Sequence, residues 1–292
     1  MKKKLTITLL ALIMLAAVFS ACKKDINTTA IVDEDATTAR AIYASRSEDF
    51  SYSDGAYSLS TAEADLGNIS GNWQSNNVSI YSNQARVRIP ANSISSQPAS
   101  EGSGNTVQID VSDGSEYELS FRVRFGPNFQ WSRGGKTGFG FLIGDGNTGC
   151  DKADDGNGAS ARLMWYNPTN QKDNTGSDSP FFRPYVYYRD MPDQCGDSFG
   201  KKSVTLAKNT WYTIRIRVKS NTGSSYNGSV FYSVDGVTLL SKTDIRWTTN
   251  TAKRLIRSIS FHTFRGGSDP YWGSTSDGFI YYDDLSYNRL AS

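Results

Sequence analysis

Short segments in which apolar and charged side chains alternate at every second position recur along this 292-residue chain. In residues 121–125, Arg122 and Arg124 alternate with three apolar residues, and residues 214–218 and 86–89 repeat the pattern. A period of two is typical of a β-strand with one buried face. Runs of Gly, Asn, Asp and Ser separate such segments, and no sustained helical period follows the N-terminal region. The pattern predicts an all-β protein.

The region 47–292 is expected to form one folded domain. About 240 residues of short, evenly spaced strand candidates fit a single sandwich of two antiparallel sheets. The strand pattern is clearest in eight segments, namely residues 117–125, 139–143, 160–166, 184–189, 211–219, 228–235, 255–264 and 278–286.

The first 21 residues have the composition of an export signal. Three lysines precede an apolar run over residues 5–19, which is shorter than the roughly 20 residues of a membrane-spanning helix. Residues 19–22 resemble a bacterial lipobox, in which the cysteine is lipidated after cleavage. We therefore expect a lipoprotein anchored through Cys22 to the outer membrane, facing the periplasm or the cell surface. Residues 22–46 would form a polar tether. An ordinary secretory signal remains the alternative.

Charge and cysteine content limit the remaining possibilities. The chain has 31 basic and 29 acidic side chains, and removal of the three signal-peptide lysines would leave 28 against 29. Nucleic-acid binders usually have a strongly basic total, so no nucleic-acid partner is expected. Cys150 and Cys195 are expected to form a disulfide in an exported protein, worth about 4 kcal/mol of stability. Two free thiols are the alternative.

Three short islands concentrate residues that can act on an acidic group. They are GGKTGFG at residues 134–140, SARLMW at 160–165 and YVYYRD at 185–190. By strand alternation, Ser160, Arg162 and Met164 lie on one face of the second island, and its apolar residues lie on the other. Tyr185 and Tyr187 likewise share one face of the third island. The islands therefore predict a groove lined by cations and tyrosines.

The islands resemble the GGK motif, the S-x-R-L-M-W strand and the Y-x-Y strand of polysaccharide lyase family 14, which contains alginate and glucuronan lyases, and of its jelly-roll relatives. The resemblance covers about residues 115–288, with the motifs in the same order. It implies a single β-jelly-roll and cleavage of a uronate-containing polymer, of the alginate or glucuronan type, by β-elimination. It also implies catalytic roles for Lys136, Arg162, Tyr185 and Tyr187.

Such an elimination removes the proton on the carbon next to the sugar carboxylate and then expels the glycosidic oxygen. The enzyme must neutralise the carboxylate, supply a base and protonate the leaving oxygen. We expect Lys136 and Arg162 to bind the carboxylate, and Tyr185 and Tyr187 to serve as base and acid in an order that the sequence leaves open. A tyrosine between two cations is expected to have a lowered pKa. No cofactor is expected.

Further substrate contacts are expected from side chains that share a face with these residues. Ser160 is one, and two arginine pairs would offer forks for sugar carboxylates if either lined the concave sheet. The pairs are Arg86 with Arg88 and Arg122 with Arg124. A solvated strand face, with arginine stems covering apolar surface, is the alternative. After GGK, relatives usually continue with Leu-Pro-Gly, whereas residues 137–139 are Thr-Gly-Phe. The exact substrate therefore stays open.

Two other classes of function remain open. A non-catalytic glycan-binding module on the same sandwich needs aromatic platforms but neither acid nor base. A glycoside hydrolase needs two carboxylates across the cleft, and Glu116 and Glu118 share a face outside the islands. For the islands themselves, the structural alternatives are a plain Gly-rich turn around Lys136 and ordinary sheet aromatics at Tyr185 and Tyr187.

Metal sites are weakly indicated. His262, the only histidine, is expected to have an ordinary hydrogen-bonded role, and no zinc site is expected. One loop contains Asp145, Asp151, Asp154 and Asp155, which leaves structural calcium open, although plain turn chemistry explains their presence. The chain is expected to act on an acidic polysaccharide as a monomer.

Overall fold

The computed structural model describes residues 41–95, 103–168 and 178–292. The predicted signal peptide, Cys22 and residues 22–40 of the predicted tether lie outside these ranges. In chain order, the strands are β1 (Ser45–Glu48), β2 (Gly55–Ala56), β3 (Ile69–Ser70), β4 (Val78–Ile80), β5 (Ala85–Ile89), β6 (Asn105–Gly114), β7 (Glu116–Phe125), β8 (Gly134–Lys136), β9 (Phe139–Gly144), β10 (Gly158–Tyr166), β11 (Phe181–Tyr187), β12 (Trp211–Lys219), β13 (Gly228–Val234), β14 (Val237–Ile245), β15 (Ile256–Arg265) and β16 (Gly278–Ala291).

The strands form two antiparallel sheets, which confirms the predicted β-jelly-roll. In the described ranges, the nine-stranded sheet has the order β14-β13-β12-β7-β16-β5-β4-β2, and β1 also pairs with β16. The seven-stranded sheet has the order β11-β10-β8-β15-β6-β3. Strand β9 also pairs with both β10 and β15. Strands β8 and β9 therefore occupy the same position in the strand order, one after the other along the length of β10 and β15.

The core lies between the inner faces of the two sheets. Strand β7 of the nine-stranded sheet buries Phe121, Val123 and Phe125, as its alternation predicts. Strand β10 of the other sheet buries Leu163 and Trp165. The Trp165 indole also donates a hydrogen bond of 3.0 Å to the Trp131 carbonyl. Truncation of such a core aromatic to alanine typically costs about 3–5 kcal/mol, so this layer fixes the position of β10.

All eight predicted strands are present. Strand β5 contains the alternating residues 86–89, whereas β1 to β4, β6, β8 and β14 were not predicted. The helix α1 (Leu59–Leu66) was not predicted either, because it is too short to display a helical period. The Ser58 side chain caps α1 by accepting a hydrogen bond of 3.1 Å from Thr61 N. None of the helices in the described ranges is long and apolar enough to cross a membrane. The sandwich begins at Ser45, which pairs with Asn288, so the last two residues of the predicted tether belong to the sheet.

A buried acidic cluster joins β1 to α1. Tyr52 and Tyr57 donate hydrogen bonds of 2.6 and 2.7 Å to the two carboxylate oxygens of Asp65. Glu48 lies beside this carboxylate and accepts a hydrogen bond of 2.9 Å from Phe50 N. Burial, and next the charge of Asp65, raise the pKa of Glu48 from 4.5 to about 7.

This raised pKa predicts a loss of stability with rising pH. The unfolded chain releases the Glu48 proton above about pH 4.5, whereas the folded chain keeps it up to about pH 7, so stability falls across that window. Since Glu48 is only half-buried, we expect a fall on the order of 1 kcal/mol. Urea unfolding at pH 5 and pH 8 should show this fall in the wild type and not in Glu48→Gln. The exposed Asp269→Asn variant is the control, and an equal fall in Glu48→Gln would contradict the assignment.

Candidate active site

Side chains from four neighbouring strands meet on the outer face of the seven-stranded sheet. Strand β8 contributes Lys136, β10 contributes Arg162, β11 contributes Tyr185 and Tyr187, and β15 contributes His262. The first four are buried, and His262 is partly exposed. The structure therefore brings the three islands together in one group of contacting side chains, called the pocket below. The histidine is an addition that the sequence did not place there.

The position of Lys136 depends on the two glycines before it. Strand β8 is squeezed between β10 and β15, where Lys136 pairs with Met164 on one side and with Phe264 on the other. A side chain at Gly135 would collide with the Phe264 carbonyl oxygen and the Trp165 ring. The GGK motif is thus a strand that needs close backbone approach, which overturns the alternative of a plain turn.

Arg162 lies buried in the pocket, with 4% of its surface exposed. Gly140 on β9 leaves it room, because a Cβ there would come within 3.0 Å of the Arg162 Cα and Cγ. Its Nη1 lies 3.5 Å from Nδ1 of His262. Its Nε and Nη2 atoms are buried without a hydrogen-bond partner in the part of the chain that the structure describes. Two strong donors are thus left for a ligand.

The contact with Arg162 defines the state of His262. A guanidinium can only donate, so Nδ1 of His262 accepts and the ring proton resides on Nε2. Burial, followed by the charges of Arg162 and Lys136, lowers the pKa of His262 to about 3. His262 is therefore neutral, and its partner is Arg162.

Lys136 is held against an aromatic ring and between cations. Its Nζ lies 3.9 Å from the centre of the Tyr185 ring. Burial, and then the charges of Arg162 and Arg183, hold the pKa of Lys136 well below its usual value. This environment therefore favours the neutral amine of Lys136 more than water does.

The two tyrosines are linked by their hydroxyl groups. Tyr187 OH donates to Tyr185 OH over 3.4 Å and accepts a hydrogen bond of 2.9 Å from Cys150 N. Burial, and then the neighbouring Tyr187, raise the pKa of Tyr185 above its usual value, and the opposing effect of Arg162 is smaller. The expectation of a lowered tyrosine pKa is therefore wrong for Tyr185, because burial outweighs the nearby cation.

The predicted disulfide between Cys150 and Cys195 is confirmed, and it spans 45 residues. It lies directly over the tyrosines, with Cys150 Sγ 3.9 Å from Tyr185 OH. The bridge ties the loop after β9 to the loop after β11 and so forms one wall of the pocket. Ser160 supports the same loop, since its hydroxyl donates a hydrogen bond of 2.7 Å to the Asn147 carbonyl.

The four predicted substrate-binding arginines are not in this pocket. They lie on the outer face of the nine-stranded sheet, with the core between them and Arg162. Arg88 lies 2.6 Å from a carboxylate oxygen of Asp277, and Arg122 lies 3.2 Å from one of Asp284. The Cζ atom of Arg124 lies 4.1 Å from the centre of the Tyr281 ring. Their placement matches the alternative of a solvated strand face. The four are Arg86, Arg88, Arg122 and Arg124.

The acidic loop considered for calcium has partners within the protein. Asp145 pairs with Lys253 at 2.6 Å, and Asp154 lies 3.5 Å from Arg189. Asp155 accepts hydrogen bonds from the backbone and side chain of Asn157. In residues 41–95, 103–168 and 178–292, no three acidic, histidine or cysteine side chains are grouped as for a metal ion.

Comparison with known proteins decides the family. The sequence model of the family "Polysaccharide lyase 14" matches residues 79–285, which include every pocket residue described above. The chain belongs to polysaccharide lyase family 14. The resemblance inferred from the islands is therefore confirmed.

Solved structures and one curated protein resemble this family 14 member. The alginate lyase Aly36B is 45% identical, with a TM-score of 0.78 over 86% of this chain and 98% of that chain. The PL-14 alginate lyase from Aplysia kurodai is 19% identical, with a TM-score of 0.63 over 85% and 98%, and shows the shared fold. Exolysin of Paramecium bursaria Chlorella virus 1 is 30% identical over 167 residues. That match covers 51% of this chain but only 25% of exolysin.

Proposed function

We propose that this family 14 member cleaves a uronate-containing polysaccharide, with alginate as the first candidate, by β-elimination. The observation that carries the proposal is the pair of unpartnered, buried donors of Arg162 beside a lysine whose pKa is lowered. Aly36B supports alginate as the substrate. Two of its variants were solved with alginate, one with a lysine and a tyrosine replaced and one with a lysine and a methionine replaced. Lys136, Tyr185 and Met164 are the same residue types in the pocket here.

Arg162 is the group that neutralises the sugar carboxylate. Its free Nε and Nη2 form a planar fork that matches the two oxygens of a carboxylate. The contact with neutral His262 leaves the positive charge of Arg162 uncompensated until substrate arrives. Binding the carboxylate there stabilises the additional negative charge that develops when the adjacent carbon loses its proton.

Lys136 is the base, a role that the sequence had suggested for a tyrosine. A base must be unprotonated before it acts, and the lowered pKa of Lys136 meets this condition while the raised pKa of Tyr185 does not. Lys136 takes the proton, and the electrons of the broken carbon–hydrogen bond form a carbon–carbon double bond conjugated to the carboxylate.

Tyr185 is the acid. Because its pKa is raised, its phenol keeps its proton and can give it to the glycosidic oxygen as the carbon–oxygen bond breaks. Tyr187 is fully buried and bonded to Cys150 N, so it orients Tyr185. Transfer of the proton from Lys136 back to Tyr185, directly or through solvent, restores both groups for the next cycle.

The function is tested by incubating the purified protein with alginate, glucuronan and a neutral glucan while following ultraviolet absorbance. Elimination creates a conjugated double bond at the new chain end, which absorbs in the ultraviolet. We expect a rise with alginate and none with the neutral glucan. Binding of alginate with no rise on any polymer would instead identify a glycan-binding module.

Tyr185→Phe is expected to lower kcat by about 100-fold, since it removes only the proton donor of the pocket. The ring that supports Lys136 remains, so KM for alginate should change little. Initial rates at saturating alginate measure the effect. The exposed Tyr226→Phe serves as the control. Wild-type kcat in Tyr185→Phe would remove this residue from the mechanism.

Anchoring through Cys22, the outer-membrane location, the monomeric state and independence from any cofactor stay predictions from the sequence.

A further inference from the structure

A second cationic cluster lies beside the pocket on the same outer sheet face. Arg183 of β11 precedes Tyr185 by two residues and shares its face, and it is paired in register with Met164. Same-face neighbours on a strand are about 7 Å apart, a length comparable to one sugar ring. Arg183 is also close enough to Lys136 to lower the pKa of that lysine. The cationic surface thus continues beyond the proposed catalytic groups.

Arg183 is held by an aromatic ring rather than by an acid. Its Cζ lies 3.9 Å from the centre of the Tyr166 ring, and the Cζ of Arg133 lies 4.6 Å from the centre of the same ring. The Phe181 ring packs against Tyr166 at 5.7 Å. Burial lowers the pKa of Arg183, Tyr166 and Tyr185 oppose that shift, and the charge of Arg133 adds a smaller lowering effect. An arrangement of this kind becomes favourable when an anion binds.

The hydrogen bonding of Arg183 points to such an anion. Its Nε is buried and has no hydrogen-bond partner among the described residues. On the other sheet, by contrast, Arg215 and Arg217 are paired with Glu118 and Glu116 at 2.5 and 2.7 Å. Among the described residues, Arg124 and Arg265 also have a buried Nε without a hydrogen-bond partner, so this property does not by itself mark a ligand site. Arg183 differs from them in its position beside Lys136 and Tyr185, in the same group of side chains as Arg162.

We propose that Arg183, stacked on Tyr166, forms a second carboxylate subsite, which binds the uronate next to the one held by Arg162. This inference rests on the proposed function. A polyuronate carries a carboxylate on every sugar, so two guanidinium groups on adjacent strands of one sheet face match successive sugars of one chain. The subsite selects polymers with charge on neighbouring sugars and acts on binding rather than on the elimination itself.

Kinetics with alginate test the subsite. Arg183→Ala is expected to raise KM by about 10- to 100-fold, as for loss of one charged hydrogen bond, with kcat changed less than about threefold. Arg183→Lys should recover part of the loss, since it keeps the charge but not the fork. Arg215→Ala, which removes a cation from the opposite sheet, should match the wild type. Thermal melts of all variants establish that they are folded.

Two outcomes would overturn the subsite. One is an unchanged KM in folded Arg183→Ala, and the other is a fall in kcat at constant KM, which would place Arg183 in the chemistry through Lys136. Direct binding of alginate, measured by calorimetry with wild type and Arg183→Ala, separates this inference from the proposed function. If the wild type eliminates nothing yet binds alginate more tightly than the variant, the function fails and the subsite stands. Equal binding overturns the subsite whatever the turnover.

Discussion

Replacement of Lys136 by alanine is expected to lower kcat on alginate by about 10³- to 10⁴-fold, the largest effect of any single change in the pocket. The reason is that the variant loses its proton acceptor, while Arg162 still binds the carboxylate. Lys136→Arg should be as inactive as Lys136→Ala. An arginine restores the cation over the Tyr185 ring but does not give up its proton. The variant therefore distinguishes a role of Lys136 as the base from a role as a positive charge alone.

The pH profile gives a second test of the same assignment. Only neutral Lys136 can act, so activity should rise as pH passes upward through its lowered pKa, well below the usual value for lysine. The raised pKa of Tyr185 keeps the acid protonated and extends activity toward alkaline pH. Initial rates measured across the pH range report both the rise of activity at low pH and its extension toward alkaline pH. The exposed Lys201→Ala variant is the control. A Lys136→Arg variant with more than a tenth of wild-type kcat would rule out lysine as the base.

Strand alternation was sufficient to predict which side chains share a face. It placed Arg162 opposite Leu163, and Tyr185 with Tyr187, because a period of two depends only on the local backbone. It could not tell which sheet a strand joins. Arg122 and Arg162 alternate with apolar neighbours in the same way, yet they lie on opposite sides of the sandwich. Sheet membership depends on pairing between strands that are far apart in sequence.

The errors about the site have two physical causes, which are burial and pairing between strands that are distant in sequence. A tyrosine near cations was expected to titrate low, but the pocket excludes water and raises the pKa of Tyr185 instead. His262 was not placed in the pocket because β15 joins β8 only through long-range pairing. The position of Arg183 beside the tyrosines, in contrast, could have been predicted from the sequence. It precedes Tyr185 by two residues, and the same alternation that paired the tyrosines puts it on their face.

Arg162 provides the second large effect, and its loss should leave the fold intact. Arg162→Met keeps much of the side-chain volume but removes the carboxylate fork. We expect kcat/KM on alginate to fall by about 10²- to 10³-fold, as when one preorganised donor is removed from a transition state. Arg162→Lys should retain more activity than Arg162→Met, since it keeps a charge without the planar geometry.

Stability should move in the opposite direction to activity in Arg162→Met. In the free protein, Arg162 is buried with two donors that no described residue satisfies, and the contacts with His262 and the tyrosine rings offset only part of its desolvation cost. Removing the guanidinium is therefore expected to leave the free energy of unfolding unchanged or to raise it by about 1 kcal/mol. Urea unfolding of both proteins, in the absence of polysaccharide, measures the difference. A variant destabilised by several kcal/mol would show that Arg162 supports the fold, and its lost activity would then say nothing about carboxylate binding.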